Sequence, residues 1–215
     1  PWFAQVWSNG MVCGGTFIDP RHVLTAAHCV AGRSASQIRV LPNPGTRLAG
    51  LASAPRAAAI RVHPGYNPRT MGYDAAVIAL PAPISRAWLP LNIDRRAPVA
   101  GQLGRIYGFG TVSSSGRVSP RMLSAPVRFL ERGGRCGQYG TGYQPGLMLC
   151  AAGDDRADTC DGDSGGPLTA IGADRVTRIV GITSWGRGCG LPNYPGIYTR
   201  VTAVVAWVNH IRTVT

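Results

Sequence analysis

Three short stretches carry side chains whose types could do chemistry together: His28 in LTAAHC, Asp74 in GYDAAVIAL and Ser164 in GDSGGP. A serine hydroxyl is a weak nucleophile until a neighbouring base takes its proton. Histidine is the usual base, and a carboxylate holds its tautomer and supports the cation that forms. The chain supplies that set in the order His28, Asp74, Ser164. Taken singly, His28 reads as a core or surface histidine and Asp74 as a turn residue heading an apolar strand. Ser164 reads differently. Gly162, Gly165 and Gly166 strip side chains from both sides of it and leave backbone N–H groups free to approach a ligand.

The same region gathers half the carboxylates of a strongly basic chain. Asp154, Asp155, Asp158, Asp161 and Asp163 are five of 10 acidic residues, against 22 basic residues and a formal net charge of +12. Every basic residue is Arg. Such a charge suits an acidic partner: nucleic acid, an anionic polysaccharide or a membrane surface. The arginines are scattered, however. Arg95-Arg96 is the only adjacent pair, Arg132 and Arg135 stand close together, and no basic stripe or aromatic interleaving appears. The pattern favours a soluble basic surface without a specific nucleic-acid partner.

The elements that must position these residues read as all-β. The 29 Gly and 17 Pro are spread along the chain, with short Val-, Ile- and Thr-rich runs between them. Strand candidates include Gln37–Leu41, Ala58–His63, Ala75–Leu80, Arg105–Gly108, Ala125–Leu130, Arg178–Trp185 and Gly196–Val201. Near the C-terminus, Val201, Val204, Val205, Val208 and Ile211 recur at helical spacing, predicting an amphipathic helix with Thr202 as its N-cap. His210 and Arg212 fall in its last turn, where cations suit the helix dipole. The turn-rich stretch 91–104 is a candidate division between lobes. The 215 residues suit one domain or two small lobes, able to bury roughly 70% of the unfolded surface without a cofactor. No run approaches the ~18 apolar residues of a membrane span, and the first residues show no signal-peptide pattern. Six Cys, at 13, 29, 136, 150, 160 and 189, suggest disulfides and an oxidising compartment. No close C-x-x-C pair favours zinc, and spacing leaves all ~15 connectivities open.

TAAHC, DAAVIAL, GDSGGP, SWGRGC and PGIYTRV, in that order over nearly the whole chain, resemble the trypsin-like branch of the chymotrypsin serine proteases. The resemblance implies two six-stranded antiparallel β-barrels with a C-terminal α-helix. Residues 1–95 would form the lobe carrying His28 and Asp74. Residues 96–215 would form the lobe carrying Ser164 and the specificity pocket, within one peptidase domain. It implies a serine endopeptidase that cuts after Arg or Lys through an acyl-enzyme. The N–H groups of Gly162 and Ser164 would hold the oxyanion. Asp158 would lie at the pocket floor with Thr159 beside it and Asp161 at the rim. Ser184, Trp185 and Gly186 would form one wall, Gly196 the other. It implies bridges Cys13–Cys29, Cys136–Cys150 and Cys160–Cys189, and an ion pair from Asp163 to an α-ammonium freed when a propeptide is cut. Asp154 and Asp155 are expected at the loop surface. The partners implied are protein or peptide substrates with Arg or Lys before the cut bond, together with proteinaceous protease inhibitors. The location implied is extracellular, and no cofactor or metal is implied.

The chain departs from the family pattern in three places. It opens at PWFAQV, which matches a point well inside the mature family sequence, so the amine for Asp163 is expected on residues preceding Pro1. No acidic residue stands between Asp19 and Asp74, so no calcium site is expected there. GFG at 108–110 replaces the common GWG, a change of packing volume. The rival reading is a catalytically weak protease-like protein, either a proenzyme form or a basic binder of heparin-like chains or acidic surfaces, and the complete Ser, His and Asp set counts against the binder.

Overall fold

The computed structural model describes residues 1–42, 45–111, 116–154 and 158–215. Among them the first lobe is built from β1 (Phe3–Ser8), β2 (Met11–Phe17), β3 (His22–Thr25), β4 (Ile38–Pro42), β5 (Ala59–Val62) and β6 (Ala76–Ala79). They form one antiparallel sheet in the order β4-β1-β2-β3-β6-β5. Every residue of β3 and β6 is buried, which their unbroken HVLT and AVIA runs favour. The sheet curls into a half-barrel and does not close between β4 and β5. The residues just before β5 span part of the gap: Val40 N–H donates to Pro55 O at 3.0 Å and Ala57 N–H to Ile38 O at 3.0 Å. Pro55 has no N–H to extend that ladder, so pairing stays local.

The second lobe closes fully. Its strands are β7 (Leu103–Gly108), β8 (Leu123–Phe129), β9 (Met148–Ala152), β10 (Pro167–Ile171), β11 (Thr177–Trp185) and β12 (Gly196–Arg200), in the barrel order β10-β11-β12-β9-β8-β7. Alternate burial along β7 leaves Gly104, Ile106 and Gly108 inside. Ile106, Val127, Phe129, Leu149, Leu168, Val180 and Tyr198 fill the interior. The three disulfides pair as the resemblance implies: Cys13–Cys29, Cys136–Cys150 and Cys160–Cys189. Closing a loop of ~15 residues is worth about 3 kcal/mol in the chain-entropy account. The short helix α1 (Gly134–Gly137) sets Cys136 in place.

The C-terminal helix α2 (Val201–Val214) follows β12 without an intervening loop. Its N-cap therefore falls two residues earlier than the sequence suggests. Arg200 occupies the N-cap without a side-chain cap bond, and Thr202 falls inside the first turn instead of capping it. The apolar face is as expected: Val201, Val204, Val208 and Ile211 are buried. That face joins a core cluster shared by first-lobe residues and by Ile179 and Ile182 of β11, so the helix packs on the barrel it grows from and against the first lobe's core together. Its far end is clamped to the first lobe by Asp19. Arg212 Nε donates to Asp19 Oδ2 at 2.7 Å, His22 Nδ1 lies 2.9 Å from the same carboxylate, and His22 Nε2 lies 3.2 Å from Thr215 Oγ1. Partial burial raises the Asp19 pKa, but the Arg21 N–H, Arg212 and His22 outweigh it and hold the carboxyl below its usual range.

Asp19→Asn is expected to lower the unfolding free energy by about 2 kcal/mol, read by urea denaturation. The deficit should persist above pH ~4 and disappear as pH falls through the depressed native pKa, since protonation removes the parent's advantage. An unchanged midpoint at neutral pH would mean the clamp adds nothing.

Candidate active site

Asp74 precedes β6 and is wholly buried between the two lobes. Its carboxylate accepts from the His28 backbone N–H at 2.9 Å and lies 2.8 Å from His28 Nδ1. Ser184, at the end of β11, donates its hydroxyl to Asp74 Oδ2 at 2.5 Å, and Thr199 Oγ1 donates to the Asp74 carbonyl at 2.9 Å. A bare buried carboxylate is strongly unfavourable, so His28 and Ser184 stabilise the charge where it lies, while Thr199 fixes the Asp74 main chain. The donors Ser184 and Thr199 carried no such signal in the sequence: Ser184 was expected as a pocket wall.

His28 sits in a short 3-10 turn, Ala27–Cys29, with the bridge from Cys29 to Cys13 behind it. Cys13, His28 and Cys29 offer atoms within 4.8 Å of one another, but the disulfide leaves neither sulfur as a thiolate to bind a metal.

Ser164 reaches this turn across a seam of backbone. Its carbonyl accepts from Gly14 N–H at 2.7 Å. Gly165 adopts φ +80°, and a Cβ there would collide with Thr25 Oγ1 and lie 2.5 Å from Gly14 O. Only glycine admits that approach. Among the described residues the Ser164 hydroxyl makes no hydrogen bond to the His28 ring; Ser164 approaches the histidine turn through its carbonyl, which lies 3.7 Å from Cys29 Sγ. The Gly162 and Ser164 N–H groups have no protein acceptor among the described residues. Gly162 holds φ +96°, a conformation that costs a larger residue strain. Two free amides beside a serine can receive a developing negative oxygen.

Asp158 is far from Gly196 in sequence but close to it in space. A Cβ on Gly196 would lie 2.7 Å from Asp158 Oδ1. Gly186 faces Gly196, so neither glycine places a side chain over the carboxylate. Asp158 accepts from Thr159 N–H at 2.8 Å and Gly190 N–H at 3.1 Å. Burial nevertheless pushes its pKa up to about 6, the Gly190 and Thr159 N–H groups pulling down and Asp163 adding to the rise. The carboxylate is not sealed: a cavity of about 200 Å³ reaches it beside Gly190 and Leu191. Thr159 Oγ1 lies 3.3 Å from the Tyr198 hydroxyl, whose pKa is raised by burial and by Asp158. Trp185 packs edge-on to Tyr139 at 4.8 Å.

The remaining acidic residues separate. Asp161 is exposed. Asp154 is exposed and meets Arg128 at 3.4 Å, a surface pair of little energetic weight. Asp155 lies outside the described residues. Asp163 is buried against Gly108 and Gly110, which flank Phe109. It accepts from Gly110 N–H at 2.7 Å and Cys160 N–H at 3.0 Å, and no cationic side chain pairs with it among the described residues. Burial raises its pKa, and those two donors pull against the rise.

The Trypsin family model matches residues 1–208. Trypsin alpha-4 of Lucilia cuprina is 35% identical across 97% of this chain and 81% of its own length. The trypsin of Saccharopolyspora erythraea is 33% identical across 89% of this chain and 82% of its own. Serine protease 56 of Mus musculus is 36% identical across 97% of this chain, which spans 36% of that longer protein. The chain belongs to the trypsin family and is a serine endopeptidase.

Asp158→Asn is expected to stabilise the free enzyme by about 2 kcal/mol above pH ~6 and to change nothing below pH ~4. The native pKa of Asp158 is raised, so the parent's stability falls as pH climbs through that window and the neutral amide escapes the loss. Urea denaturation of both proteins across pH 3.5–8 (roughly the span of the two pKa values) reads it. Parallel curves would deny that the carboxylate is desolvated.

Proposed function

We propose that this enzyme hydrolyses peptide bonds on the carboxyl side of Arg or Lys, with Ser164, His28 and Asp74 as its catalytic residues. The observation that carries the reading is the desolvated carboxylate of Asp158 below two facing glycines. A guanidinium or ammonium reaching that carboxylate would restore the charge pairing that burial removed. A neutral or acidic guest would leave the charge unpaired.

In this reading the Asp74 contact keeps the proton on His28 Nδ1 and leaves Nε2 as the base. Ser164 Oγ adds to the scissile carbonyl while its proton passes to Nε2. The oxyanion rests on the Gly162 and Ser164 N–H groups. Nε2 then returns the proton to the departing amine, leaving an ester on Ser164. Water, deprotonated by the same nitrogen, releases the acid and restores the hydroxyl. Catalytic hydrogen bonds often tighten only when substrate binds, so the missing Ser164–His28 bond is compatible with this sequence. The extended substrate pairs with backbone around Ser184–Gly186. Residues 1–95 and 96–215 act as the two lobes of this unit.

Asp163 awaits an α-ammonium produced by propeptide cleavage. A buried carboxylate with two backbone donors and no cation favours that partner. Three disulfides and no free cysteine favour an extracellular site of action. No helix among the described residues is long and apolar enough to cross a membrane.

On matched peptides differing only before the cut bond, Arg and Lys are expected to exceed Phe and Glu by about 100-fold or more in kcat/KM, a margin that Asp158→Asn should erase. Ser164→Ala should fold normally and show no turnover. A preference for Phe would overturn the pocket assignment. Acetylating the α-amino group of the active form, or Asp163→Asn, should cut turnover by about 100-fold; full activity after acetylation would exclude the ammonium partner.

A further inference from the structure

Arg95, Arg132 and Arg200 are far apart in sequence, yet they line one cavity of about 310 Å³ with Tyr73, Leu147 and Thr202. Among the described residues no acidic side chain lines it. Among the described residues none of these three guanidinium groups forms an ion pair. Arg128, Arg178 and Arg212 do find carboxylates, so the scarcity of acidic residues does not leave every arginine unpaired. Arg200 is half-buried and fixed by donation from Nε to Pro145 O at 3.2 Å. Burial disfavours its charge, and the nearby Arg132 adds to that. Arginine stays protonated regardless, so the repulsion persists until an anion offsets it. The first turn of α2 opens at the same place, through Thr202 and Ala203. It holds no acidic residue and no side-chain cap, so its partial positive charge is also unmatched.

We propose that this cavity binds a tetrahedral oxyanion of the sulfate or phosphate type. Guanidinium groups meet such oxygens with paired, charge-assisted hydrogen bonds. The volume is several times the ~30 Å³ share of one water, enough for the anion and the group that carries it. Ser164, His28 and Asp158 do not line the cavity, so the site is separate from the peptidase centre. It adjoins that centre through the chain: Tyr73 precedes Asp74, and Arg200 follows Thr199, whose hydroxyl bonds the Asp74 carbonyl.

Calorimetric titration at constant ionic strength tests the proposal, using inorganic sulfate, inorganic phosphate, chloride and a sulfated disaccharide. Sulfate or phosphate should bind measurably where chloride does not. Arg95→Ala/Arg132→Ala should weaken that binding at least about tenfold, the loss expected from removing charge-assisted bonds. The control Arg33→Ala/Arg86→Ala removes the same charge from exposed positions off the cavity and should leave binding unchanged. Should the cavity pair fail to fold, Arg132→Gln alone carries the comparison. Tighter binding of the disaccharide than of inorganic sulfate assigns the site to an esterified sulfate; the reverse order assigns it to the free ion. Equal response to chloride, or equal loss in the control pair, overturns the proposal.

Discussion

Much of this molecule is arranged around one carboxylate that water cannot reach. Asp74 is buried between two lobes, and each lobe supplies part of its solvation: His28 from one side, Ser184 from the other, with Thr199 holding the Asp74 carbonyl. Taking such a charge out of water is expensive, by several kcal/mol even after relaxation. Docking the lobes is therefore coupled to completing the donor set. The residue that orients the histidine is also the residue that makes the relative position of the lobes matter.

The seam beside it works by exclusion of side chains. Gly14 and Gly165 let two backbones meet where no Cβ would fit, and the Ser164 carbonyl closes the contact. The serine is thus carried to the histidine by main chain, and its hydroxyl stays uncommitted. Helix α2 locks the same arrangement from outside. It grows directly out of β12, buries its apolar face in a cluster that joins β11 to the first lobe's core, and ends on the Asp19 clamp. Its entry from a strand explains the missing cap, because the position before the helix is already a strand residue.

The acidic cluster shows how far composition reads and where it stops. Four of its carboxylates fall within one short run and meet very different surroundings. Asp154 is solvated, Asp161 is exposed, Asp158 is largely desolvated under glycines, and Asp163 is pressed against Gly108 and Gly110. Local pattern names the residues but not their dielectric, which depends on chain segments dozens of residues away. The strands show the same division. β4 to β8, β11 and β12 are legible because Val, Ile and aromatic residues lie between clear turn signals. β2 is interrupted by Gly14-Gly15 and β10 begins at Pro167, features that weaken a strand pattern and are tolerated here only by the close packing around them.

By itself the sequence determined the chemistry on offer: a nucleophile, a base and a carboxylate in order, an all-β framework, and motifs distinctive enough to imply three disulfide pairings. The first two are properties of residue type and short-range spacing, whereas the pairings are what the family resemblance implies. Only the tertiary structure decided that Ser184 serves Asp74, that the first lobe remains a half-barrel, that Asp158 titrates near 6, and that three scattered arginines share a cavity. Each of those depends on what packs against a group from elsewhere in the chain, and burial and electrostatics are set by that packing.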